Sequence, residues 1–343
     1  VVYYLWVGMF GVFVVAQFWT FCADVYTDER GKRMLPFIAV GATSGAAAGS
    51  WLVDQLVKSG LVPTEALLLV AIAPLVVSII LVRRVEQREG SRAALVDETA
   101  AVDDTGAAVM QEEASIWSGA KLVLVSRFLL LAALVTVFTN WVNTNGENLL
   151  FRVIQEALAV QAQEQGVAAG QPMLEFVRDG TTAFYGNFFF WVNIVALLLQ
   201  AFVASRLLKY GGFAAILLIL PVIALTSYTV MALLPVLAVV KLMKIAENAT
   251  DYSLNNTARH VLWLPVSSAM KFRGKPAIDT LYVRLGDGLA AITVLVGVHL
   301  LTLATAEFFA FNVFLVLGWL VAGVLLVREH RRASEAQGRE AVP

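Results

Sequence analysis

The chain has one cysteine, Cys22, so an internal disulfide and a cysteine-built metal site are both excluded. Its three histidines, His260, His299 and His330, are far apart, and no His-Glu-x-x-His pair occurs. No glycine-rich phosphate loop closes on a lysine. These gaps leave no nucleophile–base pair, and no motif that calls for a cofactor, a metal or a nucleic-acid partner. A membrane enzyme is therefore the weakest of the functional classes. Charge is scarce too: 15% of residues are Asp, Glu, Lys or Arg, against about 25% in soluble domains.

What fills the chain is apolar. Hydrophobic residues make up 59% of it, with a mean hydropathy of +0.75. Apolar runs recur at about 20 residues, the length that crosses a bilayer core of about 30 Å. The short alternating segments of a membrane β-barrel are missing. The fold class is thus an all-α polytopic membrane protein, with nine predicted spans near 2–25, 35–57, 63–82, 121–144, 182–206, 212–233, 235–257, 276–301 and 308–327. Residues 1–84 would hold the remainder of an N-terminal helical half and 119–328 a six-helix C-terminal half. Between them 85–118, acidic and Ala-rich, reads as a flexible cytoplasmic linker, and 329–343 as a cytoplasmic tail. Leu149, Leu150, Val153, Ile154 and Leu158 recur at helical spacing and predict a short amphipathic helix after span four. The chain opens at Val1 almost inside a span, as a fragment lacking N-terminal helices would.

Lys and Arg fix the orientation. With the 27–34 loop placed inside, 18 of the 25 basic residues fall on that side. The opposite side holds only Lys58, Arg152 and Arg178, and Arg127, Lys241, Lys244 and Arg284 fall within spans. Three spans, a cytoplasmic linker and six more spans describe helices four to twelve of a six-plus-six carrier of the major facilitator type.

Ionisable groups at membrane depth cost about 3 kcal/mol each on the insertion scale and face a cavity or a partner. Span seven, "LAVVKLMKIAENATDYSLNN", carries Lys241, Lys244, Glu247, Asn248, Asp251 and Asn255 within one helical arc. Such a stripe lines water or a solute; the structural alternative pairs Lys241 with Glu247 and Lys244 with Asp251. Arg284 and Asp287 in span eight sit three residues apart and can form a salt bridge or meet a solute. Arg127 is alone in span four and needs a carboxylate or carbonyl from elsewhere. Asp24 shares a face of span one with Gln17 and Thr20, either at a helix end or in a cavity. Gly41, Gly45 and Gly49 of "GATSGAAAGS" form a small-residue ridge on which another helix can pack closely.

Residues 252–286 resemble the bacterial and plastid nucleotide carriers, the ATP/ADP translocases. The match runs through Tyr252, Ser253, Leu254, Pro265, Lys271, Gly274, Lys275, Ala277, Ile278, Asp279, Leu285 and Gly286. Weaker echoes are "FWTFCAD", ending at Asp24, and "NTNGENLL", where Glu147 stands in the segment that carries an important acid in that family. The resemblance implies a twelve-helix fold of the major facilitator type in the bacterial inner membrane, exchanging nucleotides by antiport. It departs at Asp251 and Asp287, where the carriers have lysines, and carboxylates there would repel phosphate. The expected activity is secondary transport of a small anionic solute, a nucleotide or another phosphorylated anion. The alternatives are a proton-coupled carrier of another solute, using Glu247, Asp251 or Asp287, and a non-transporting membrane scaffold or sensor.

Overall fold

The computed structural model describes residues 28–60, 62–63, 66–97, 116–267 and 270–340, with single positions Phe10, Val14 and Phe18. Asp24, Gln17 and Thr20 lie outside the described residues, as do span one as a whole and 98–115 of the acidic link. All regular structure among the described residues is helical. The chain divides into two compact units, 1–46 with 59–110, and 47–58 with 111–343.

In the first unit, α1 (Asp28–Lys58) contributes its N-terminal part. A turn at Leu67–Val70 leads into α2 (Ile72–Asp97), which runs on well into the predicted linker. The stretch Leu67–Val85 is long and apolar enough to cross a bilayer. Its side chains are uncovered, as a lipid-facing helix requires.

The second unit contains α3 (Ile116–Val125), α4 (Arg127–Glu164), α5 (Gln171–Leu198), α6 (Ala204–Leu233), α7 (Leu237–Thr250), α8 (Asn256–Leu262), α9 (Val283–His299) and α10 (Thr305–Glu340). Ser126 separates α3 from α4: its backbone is extended and its hydroxyl caps the Leu129 amide. At about 1.5 Å per residue, the 38 residues of α4 reach about 57 Å. The amphipathic segment 149–158 is therefore the far end of span four rather than a separate helix, and Leu149, Leu150, Val153 and Ile154 are buried there. From Gln171 the helical path continues through a π-turn at Leu199–Val203 to Leu233, 63 residues in all. That is about 95 Å, three bilayer cores. The helical path is kinked at Gly212, whose φ of 64° suits a residue without Cβ.

Five segments are long and apolar enough to span a membrane among the described residues, and they hold six of the nine predicted spans. The other two that can be seen are helical as well: span two lies in α1, rich in small residues, and span seven carries four charges. The chain is an all-α polytopic membrane protein. Its core gathers Leu129, Leu150, Phe188, Leu220, Phe309 and Leu326, where α10 packs on α4 and α6, and α9 on α4. The outer faces keep Val222, Leu242, Ile292, Leu295, Phe314 and Val321 at 48–70% exposure. Apolar faces of this kind suit contact with lipid or with another apolar helix.

Candidate functional site

Polar groups enter the core of the second unit where "NWVNTNGEN" of α4 meets α7. Lys244 and Glu247, three residues apart on α7, share a face. The Lys244 ammonium lies 3.0 Å from Glu247 Oε2 and 3.3 Å from Glu147 Oε1. It also reaches Asn143 Oδ1 at 3.4 Å. Its three donors thus meet three acceptors, and its side chain is 0% exposed. Tyr228 of α6 reaches Glu247 Oε1 at 3.0 Å, with the Val142 carbonyl at 3.2 Å. The Asn248 amide donates to Glu147 Oε1 at 2.9 Å. One ammonium, two carboxylates, a phenol and two amides therefore tie α4, α6 and α7 together.

Gly146 makes this approach possible. A Cβ there would fall on the Tyr228 hydroxyl and stand 2.8 Å from Lys244 Nζ. The same stretch of α4 serves other helices from its other faces. Trp141 Nε1 donates to Thr293 Oγ1 of α9 at 2.9 Å, and Thr144 Oγ1 donates to Asp287 Oδ1 at 2.9 Å. Asn145 Nδ2 donates to Asn312 Oδ1 of α10 at 3.1 Å, and Asn312 Nδ2 reaches the Val142 carbonyl at 3.4 Å.

Asp251 begins a π-turn, Asp251–Asn255, in which the Asn256 amide bonds back five residues. Its carboxylate accepts from Asn255 Nδ2 at 2.6 Å. It lines a narrow crevice with Thr139, Asn143, Leu220, Glu247 and Trp319, about 180 Å³ of empty space that includes open solvent. Glu147 and Asp287 each keep 33% of the side chain exposed. Glu147 and Asp287 are thus reachable, whereas Glu247 and the central cation are sealed.

The predicted residues divide accordingly. Lys244, Glu247 and Glu147 come together, with Asp251 beside them. Asp287 joins through Thr144 and pairs with the largely exposed Arg284 at 3.1 Å, the predicted i,i+3 bridge. Lys241 belongs elsewhere: it donates to Asn187 Oδ1 at 2.6 Å and stands over the Phe184 ring at 5.1 Å. The alternative pairings of Lys241 with Glu247 and Lys244 with Asp251 do not form; Lys244 takes the nearer Glu247 and the α4 acid. Arg127 pairs with Glu329 of α10 at 3.2 Å, twenty residues or about 30 Å along α4 from Glu147. A Cβ on Gly41, Gly45 or Gly49 meets nothing within 4 Å, so no helix among the described residues packs on that ridge. Tyr228, Asn143, Asn145 and Asn312 carry no sequence signal of their own. No group of three or more His, Cys, Asp or Glu side chains fit to hold a metal occurs among the described residues.

Neither a family model nor a solved structure matches the chain. Among curated proteins it is similar to ADP,ATP carrier protein 1 of Chlamydia trachomatis serovar D, 25% identical over 187 residues, covering 46% of this chain and 34% of that protein. It is likewise similar to the same-named protein of Chlamydia pneumoniae, 27% identical over 129 residues, with 32% and 25% covered. The third is that of Chlamydia muridarum, 25% identical over 125 residues, with 31% and 24% covered. The chain spans about a third or less of the length of these relatives. The resemblance carried by residues 252–286 and these similarities are to the same kind of protein, the bacterial ADP,ATP carriers.

Proposed function

We propose that the chain is part of a secondary carrier that moves a small anionic solute across the bacterial inner membrane by alternating access. A nucleotide taken by ADP/ATP-type antiport is the leading solute. The two halves would rock about a midplane site in the manner of major facilitator proteins, with residues 119–328 as the C-terminal half. The observation that carries this reading is the ion-pair knot of Lys244, Glu147, Glu247 and Tyr228, set inside a bundle whose outer faces are apolar. Charges at such depth are retained where a polar path needs them. The similarity to ADP,ATP carriers supports the solute class. Glu147, Asp251 and Asp287 serve as the groups a solute or coupling ion meets first, Lys244, Glu247 and Arg284 as their partners.

The test is exchange by the full-length protein in proteoliposomes, loaded with ADP and offered ATP, other nucleotides, sugar phosphates and simple organic anions. Counter-exchange of a nucleotide is expected, and no movement of any of these solutes with either face outward refutes the reading. Two observations favour other readings. Glu147 and Asp251, the part-exposed groups beside the knot, are acids, which favours a proton-coupled carrier of a non-nucleotide solute. In that case a pH gradient, rather than internal ADP, drives uptake. Full pairing of the buried Lys244 favours a non-transporting scaffold or sensor, for which no solute moves while the protein stays folded.

A further inference from the structure

A second charged cluster stands apart from the knot, at the end of α1. Asp54 is 3% exposed, because the α1 backbone presses onto α5 there. A Cβ on Gly186 would lie 2.8 Å from the Asp54 amide nitrogen and 3.0 Å from its Cα. Both donors that reach the Asp54 carboxylate use the same oxygen. Lys58 Nζ is 2.8 Å from Oδ2 and Gln55 Nε2 is 3.4 Å from it. The buried Oδ1 has no hydrogen-bond partner. A carboxylate oxygen shut away from water without a donor is costly and calls for one.

The nearby donor is Lys241. Its ammonium is held by Asn187, the residue after Gly186, and the charges of Asp54 and Lys58 both bear on it. Asn187 is neutral and a weaker partner for an ammonium than a carboxylate. The flexible four-carbon stem of lysine lets the head group move between neighbouring acceptors without backbone change.

We propose that Asp54 and Lys241 are the two halves of an ion-pair latch. Lys241 rests on Asn187 in the present conformation and swings onto the free oxygen of Asp54 when the end of α1 and the start of α7 draw together. The latch joins a helix of the expected N-terminal half to two helices of the C-terminal half, on the side opposite the basic loops. It closes the outer end of the path. Its purpose rests on the carrier reading, but its existence does not.

A double-mutant cycle on the full-length protein tests it. K241Q should lower the melting temperature by at least about 2 °C more when Asp54 is present than in D54N, since coupled groups are not additive. Equal shifts in both backgrounds overturn the latch, leaving Asp54 as a partner of Lys58 alone. Should D54N not fold, N187A decides. Freed from Asn187, Lys241 should move to Asp54 and raise the melting temperature, and a fall like that of K241Q overturns the proposal. Solute exchange is followed in parallel. If no variant and no wild-type protein moves a solute, the carrier reading fails while the melting cycle still decides the latch.

Discussion

Replacing Lys244 by Met is the sharpest test of the buried knot. Met keeps the length and apolar stem of lysine but removes the charge, leaving Glu247 with Tyr228 as its remaining donor and Glu147 with Asn248. Breaking a buried pair by removing one partner costs about 3–5 kcal/mol. At about 2–4 °C per kcal/mol this lowers the melting temperature by about 6–20 °C. E247Q should cost less, because Lys244 keeps Glu147 and Asn143 and the amide still accepts from Tyr228. In K244M/E247Q the stranded charge is gone, so the double variant should melt above K244M. The coupling should amount to at least about 1 kcal/mol. Tryptophan-fluorescence melting of the detergent-purified full-length protein measures all three. Additive losses, or a K244M that melts within about 2 °C of wild type, would mean that Lys244 does not hold the two acids together.

E147Q keeps the Asn248 contact at a side chain one-third exposed, so it should preserve the melting temperature yet slow solute exchange by about tenfold, a loss of about 1.4 kcal/mol; unchanged exchange removes Glu147 from the path. G146A should cost about 1–3 kcal/mol by forcing a methyl group onto Tyr228 and Lys244, whereas G288A, whose Cβ meets nothing within 4 Å, should be neutral or stabilising by up to about 1 kcal/mol; the same melting assay compares them. R127A should change stability by less than about 0.5 kcal/mol, since Arg332 still holds Glu329 at 2.8 Å and the Arg127 side chain is 68% exposed; exchange rates should not move.

The membrane class was legible because a span advertises itself by length and apolarity, and the C-terminal crossings do both. α7 is less visible to that criterion for its charges, although it is helical. The polar stripe of α7 was legible because helical spacing alone brings Lys244, Glu247 and Asn248 to one side. Their partners were not. An i,i+7 pairing of Lys244 with Asp251 spans two turns, or about 10 Å, so the nearer Glu247 and the acid of α4 win. Glu147 could be singled out only through the family resemblance, since "NTNGENLL" has no periodicity that marks it. Tyr228 looks like any aromatic in an apolar helix until α4 comes against it. Asn145 and Asn312 are separated by 167 positions, and nothing in their neighbours announces the contact. Asp54 lay inside a segment read only for its glycines, although its i,i+4 spacing to Lys58 was there to see.

The lysine at the centre of the knot has no spare hydrogen to offer. A phosphate arriving at that ammonium would have to displace Asn143 or one of the two acids already bound. Both acids, still close by, would then push the newcomer away unless a proton came with it to quench a charge. Any anion that uses this cation must therefore be accompanied or be turned back.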